Sequence, residues 1–292
     1  MATASLGRSL REQSPVWTYF LVVIGSSWTI WTIGLPRTVG VGRLAVVVAG
    51  AWIPTVVALG FAGRADGRSG VIDLLGRLTR WRIAPRWYVL AVGAVPAATA
   101  LTVGLYAVTG QTVPALTMPG GLGPAALPIV FLVNLAVGGA LAEELGWRGY
   151  AFPTLAGRIG PVLAALVVGF VWAAWHLPFF LFFPAVGVAG GFPLWAYVPV
   201  LVAWSFLFSW SVDAAGGSVL IAVLLHASAN TTLGTLGVVD PSNPQLVATF
   251  VVVQLVLVGA LVAWLGRIGG GPVSSSPARA RRSDRSASQV DR

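Results

Sequence analysis

Long apolar runs, each closed by a short polar or Gly/Pro-containing segment, organise this chain from residue 16 to residue 265. Eight of them, 16–33, 44–62, 87–109, 124–142, 161–183, 194–212, 219–239 and 246–265, have roughly the length of a membrane-spanning helix. Backbone in lipid must satisfy its polar groups as helices or as a closed barrel. These runs are continuous and lack the alternation of a barrel strand. They predict an all-α fold: a polytopic membrane helix bundle of about eight transmembrane helices.

Two segments depart from that pattern. Residues 70–83, GVIDLLGRLTRWRI, place Val71, Leu74, Leu75, Leu78 and Trp81 at helical spacing, with Asp73, Arg77 and Arg80 elsewhere. Such a helix is expected to lie on the anionic face of a membrane. After Gly269 the chain is rich in Ser, Arg and Pro and cannot build a core. Residues 1–268 are therefore read as one polytopic membrane domain and 269–292 as a disordered basic cytoplasmic tail.

Composition excludes the soluble alternative. The chain is 57% hydrophobic and 9% charged, where soluble domains carry about 25% charged residues. It has no cysteine, so disulfides, thiolate metal sites and cysteine nucleophiles are out. All 18 of its Lys/Arg positions are arginine. Placing the N-terminus inside puts 16 of those 18 in cytoplasmic segments and leaves only Arg37 and Arg43 outside. Positive charge stays on the cytoplasmic side, so the reading is a multi-pass protein of the cell membrane with both termini cytoplasmic. Arg8 and Arg11 precede the first run as in a signal peptide, but no small-residue cleavage site follows. That run is read as the first membrane helix. The expected surroundings are the lipid bilayer, with no nucleic-acid partner; oligomeric state is left open.

Ionisable groups inside membrane helices are costly and tend to mark function, which makes their positions informative here. The chain has three glutamates, Glu12, Glu143 and Glu144, and two histidines, His176 and His226. Four of these five fall in or beside three apolar runs. Glu144 and Arg148 are four residues apart, acid first, the favourable order for a helical ion pair. Glu143 lies about 100° around the helix and is free to face something else. Charge reversal at position 144 or 148 is expected to be damaging, and swapping both to restore function in part. His176 precedes Pro178, which loosens the helical ladder there. His226 and Asn230 share one helix face, while Ser228 lies on another. Asn134 and Gln254 read as interhelical hydrogen-bonding residues. Asp213 and Asp240 sit at run ends.

Glu and His can activate water or bind a divalent metal. A second His and an amide can donate to a developing oxyanion. No hydroxyl or thiol stands beside a base, and the soluble metalloprotease pattern His-Glu-x-x-His is absent. The parts suit hydrolysis of an amide by activated water.

At these residues the sequence resembles the CPBP family, the CAAX proteases and bacteriocin-processing enzymes also called the Abi family. Its motifs are Glu-Glu-x-x-x-Arg, Phe-x-x-x-His and His-x-x-x-Asn on separate membrane helices. Here they are Glu143-Glu144-Leu145-Gly146-Trp147-Arg148, Trp172-Ala173-Ala174-Trp175-His176 and His226-Ala227-Ser228-Ala229-Asn230. The resemblance covers residues 128–237. It implies an intramembrane endopeptidase in which Glu143 and His176 activate water and His226 and Asn230 hold the oxyanion, with Glu144, Arg148 and Trp172 in support. Its substrate would be a peptide or membrane protein. Trp172 stands where the family usually has Phe, and is expected to alter the lining of the cavity rather than the chemistry. A metallo-type and a metal-free glutamate-type mechanism both remain open; one divalent metal such as zinc could be held by Glu143, His176 and His226. The alternative is a non-catalytic immunity or regulatory protein on the same scaffold, and after that a proton-coupled transporter.

One depth relation looks inconsistent. If helix four ends at Phe152, Glu143 lies about 13 Å from that end, whereas His176 lies about 22 Å from Pro161. Helix five is therefore expected to start later than Pro161 or to tilt strongly.

Overall fold

A computed structural model describes residues 15–115, 121–184 and 191–268. The expected tail, 269–292, lies outside the described residues. Twelve α-helices, two short 3-10 turns and one π-helical segment make up the regular structure of the described residues. In chain order the α-helices are α1 Pro15–Gly34, α2 Gly40–Ala51, α3 Ile53–Gly76, α4 Pro85–Ala107, α5 Leu127–Ala136, α6 Ala140–Glu144, α7 Phe152–Ile159, α8 Pro161–Trp175, α9 Leu177–Leu181, α10 Leu194–Ala214, α11 Val219–Thr235 and α12 Pro244–Ile268. The π segment, Leu145–Ala151, joins α6 to α7. Proline opens many of these helices, at Pro85 and Pro161 among others, where its fixed φ suits the first turn and its missing N–H costs nothing.

Seven helices, some formed from consecutive segments, are long and apolar enough to cross a membrane. The remaining expected span, 219–239, is instead a 17-residue helix, α11. Hydropathy over-extended it because Val238 and Val239, though buried, lie beyond the point where Leu236 turns to extended backbone. Helix α11 is the centre of the bundle: 13 of its 17 residues are buried, and it packs on α4, α5, α6 and α10. A helix covered by other helices need not match the bilayer's thickness. Around it, α10 packs on α8 and α12, α12 closes on α4, and α1 packs on α2, α3 and α8.

The helix expected at 70–83 has different bounds. Helix α3 kinks at Asp66 and Gly67, and its second leg stops at Gly76. Past that point backbone carbonyls bond to the start of α11. Arg77 O accepts the N–H of Val219 at 3.0 Å, and Arg80 O accepts the Ser218 hydroxyl at 2.7 Å. Arg77 Nη1 in turn donates to Gly149 O at 2.7 Å, so this segment is fastened over the start of α11 and the π segment.

Helix five begins at Pro161 after all. The depth relation is resolved on the other side, because helix four runs on through the π segment and α7 to Ile159. Gly160, at φ 82°, turns the chain straight back into α8, a conformation that a side chain would strain. Glu143 then stands sixteen residues before Ile159 and His176 fifteen residues after Pro161. The two arms of this hairpin bring them to similar depth.

The expected interhelical roles of Asn134 and Gln254 are seen. Asn134 Nδ2 donates to Thr231 Oγ1 at 3.1 Å, and Gln254 Oε1 accepts from Trp204 Nε1 at 3.0 Å.

Candidate active site

The site begins with a break in helix four. Between α5 and α6 the chain passes through Val137–Gly139, with Gly139 in the left-handed region at φ 94°. Helix α6 restarts there and carries Glu143 and Glu144, both buried, in its last turn. The Glu143 carboxylate folds back so that Oε1 occupies the space where a Cβ on residue 139 would project. Only glycine fits both the backbone angle and the carboxylate. The break is marked in the sequence by the Gly138-Gly139 dipeptide, although hydropathy reads the run as one continuous span.

Glu144 faces the other way and carries the ion pair expected from the sequence. Arg148 Nη1 lies 3.0 Å from both of its oxygens. The same Oε1 is 2.8 Å from His226 Nδ1. The Arg148 guanidinium lies over two neighbouring aromatic rings, its carbon 4.3 Å from the Trp172 centroid and 4.9 Å from that of Phe208. Its Nε and Nη2 find no hydrogen-bond partner among the described residues, and the ring faces supply the compensating attraction.

Helix α8 ends at Trp175 and α9 starts at Leu177, with Pro178 in its first turn. His176 sits at that junction, where the ladder is loosened as Pro178 suggested. Its Nδ1 is 2.9 Å from the carbonyl of Trp172. A carbonyl only accepts, so Nδ1 carries the proton and a neutral ring keeps its lone pair on Nε2. One turn earlier on α8, Trp172 donates its indole N–H to Oε2 of Glu143 at 2.7 Å. Asn230 Nδ2 donates to Gly138 O at 2.7 Å, tying α11 to the break in helix four. Ser228 turns away and donates to Val92 O at 2.8 Å.

Glu143, Trp172, His176, His226 and Asn230 all line one cavity of about 300 Å³, whose remaining wall is largely apolar: Trp31, Val47, Val133, Trp175, Phe179 and Leu201 among others. The four residues singled out for chemistry thus meet at one place, with Glu144 and Arg148 directly behind them. Sequence reasoning missed Gly138 and Gly139, and it missed that the indole of Trp172 reaches a carboxylate. Glu143, His176 and His226 share this cavity, but among the described residues no three His, Asp or Glu side chains are arranged as a metal-holding group.

Fold and site together define a multi-pass helical membrane protein with a buried Glu/His centre at the junction of broken helices. Residues 125–232 match the family model described as type II CAAX prenyl endopeptidase, Rce1-like. The chain is also similar to the CAAX prenyl protease 2 of Methanococcus maripaludis, 26% identical over 167 residues, covering 55% of this chain and 60% of that protein. The matched segment contains all three motifs, at 143–148, 172–176 and 226–230.

Proposed function

We propose that this protein is an intramembrane endopeptidase that cleaves a peptide bond with water activated by Glu143 and His176. The observation that supports it best is the convergence of Glu143, His176, His226 and Asn230 on a single cavity with a mostly apolar wall. Such a wall excludes bulk water and strengthens every electrostatic interaction inside.

In this reading Glu143 takes a proton from water, and His176 orients that water through Nε2. The water oxygen bonds to the carbonyl carbon, and the carbonyl π electrons move onto oxygen. Asn230 spends one amide hydrogen on Gly138 O and keeps the other for that oxyanion. For His226 to donate through Nε2 while Nδ1 serves Glu144, its ring carries both protons, and the Glu144 carboxylate is the counter-charge. The intermediate then collapses, the C–N bond breaks, and the amine leaves with the proton that Glu143 accepted.

The relative's name supplies the first substrate to assay, a prenylated peptide with a C-terminal CAAX sequence, beside unprenylated membrane peptides. A general base is worth about 10²–10⁴-fold and an oxyanion donor about 10²–10³-fold in turnover. Glu143→Gln is therefore expected to abolish nearly all cleavage, and Asn230→Ala to lower kcat with KM closer to normal. Cleavage at the wild-type rate by folded Glu143→Gln protein would refute the proposal. It would leave the protein to a non-catalytic role.

A further inference from the structure

The departure at position 172 matters more than a change of lining. A phenylalanine there could not donate a hydrogen bond, whereas the indole N–H of Trp172 lies 2.7 Å from Oε2 of Glu143. The bond joins α8 to α6 across 29 residues of chain, and Trp172 is only 2% exposed. Oε1 of the same carboxylate lies beside Gly139, another residue of the cavity wall.

We propose that Trp172 is a positioning residue that pins Oε2 of Glu143 and so leaves Oε1 as the oxygen that accepts the proton of water. This rests on the peptidase reading of the site. The tryptophan also ties Glu143 to the charges behind it. Its ring face holds the Arg148 guanidinium at 4.3 Å, and its centroid is 5.4 Å from that of His226. A cation on the face draws electron density from the ring and makes the N–H a stronger donor, as neighbouring polar groups do in hydrogen-bonded chains.

A hydrogen bond to a buried charged group is worth enough that its loss costs roughly 10- to 100-fold. Trp172→Phe is expected to lower kcat by that order with KM changed less than about threefold. Trp147→Phe is the control. Its indole is equally buried, but Nε1 has no hydrogen-bond partner among the described residues. The same atoms are removed there without a donor to a carboxylate, so stability falls without the loss in kcat.

Wild type and Glu143→Gln run alongside. An active Glu143→Gln overturns the peptidase reading. An inactive Glu143→Gln with a wild-type kcat in Trp172→Phe overturns only the role of Trp172. The contact is also read without activity, by ¹⁹F NMR of 5-fluorotryptophan-labelled protein. The resonance lost in Trp172→Phe is expected to move in Glu143→Leu and not in Trp147→Phe. A resonance unmoved by Glu143→Leu in folded protein overturns the proposal.

Discussion

Replacing Glu144 with leucine strands a guanidinium inside the bundle. Arg148 is 1% exposed and its Nη1 lies 3.0 Å from Glu144. At an effective dielectric near 20, that separation corresponds to about 5 kcal/mol of attraction. Breaking a buried pair by removing one partner costs about 3–5 kcal/mol. Glu144→Leu is thus expected to lose about 4 kcal/mol, read as a fall in Tm of roughly 10 °C in detergent micelles. Arg148→Leu is expected to lose somewhat less, because Glu144 keeps His226 as partner at 2.8 Å. The double leucine variant removes both charges and is expected to recover most of the stability of either single variant, since well-packed apolar residues replace such pairs at little cost. Activity follows a different order. Any variant lacking Glu144 stays inactive however stable, because His226 has lost its counter-charge. The charge swap, which sequence spacing alone would credit with partial rescue, is expected to rescue nothing. It puts a guanidinium against His226 Nδ1 and a carboxylate against the electron-rich faces of Trp172 and Phe208. A double leucine variant whose loss equals the sum of the single losses would refute this account of the pair.

The other expectations can be checked separately. Gly139→Ala combines a left-handed backbone angle with a Cβ in the place of Glu143 Oε1; cleavage should fall at least about 100-fold, consistent with a base displaced by an ångström, while thermal unfolding shows a folded protein. A wild-type rate in that variant would show that the carboxylate does not depend on the break. Reporter fusions after residues 70, 118, 188 and 275 should read inside, outside, outside and inside, and an outside signal at 275 would overturn the proposed arrangement of the termini. Elemental analysis and chelator treatment of purified protein decide between metallo-type and glutamate-type hydrolysis, full cleavage by metal-free protein eliminating the former.

Much of this molecule was legible in residue order. Partition between water and lipid depends on local composition, so the apolar runs marked the helices and excluded a barrel before any packing was known. Scarcity did the same for the site: a chain with only three glutamates and two histidines exposes its functional positions by where it spends them. What composition cannot encode is which surfaces meet. The length of α11 was misjudged because hydropathy measures affinity for an apolar medium and does not distinguish lipid from neighbouring helices. The depth of Glu143 relative to His176 depended on helix four continuing through a π segment, which packs against α3. The hydrogen bonds from Trp172 to Glu143 and between His226 and Glu144 cross 29 and 82 residues of sequence. Their geometry exists only once three helices are docked, and that docking gives the two adjacent glutamates different partners.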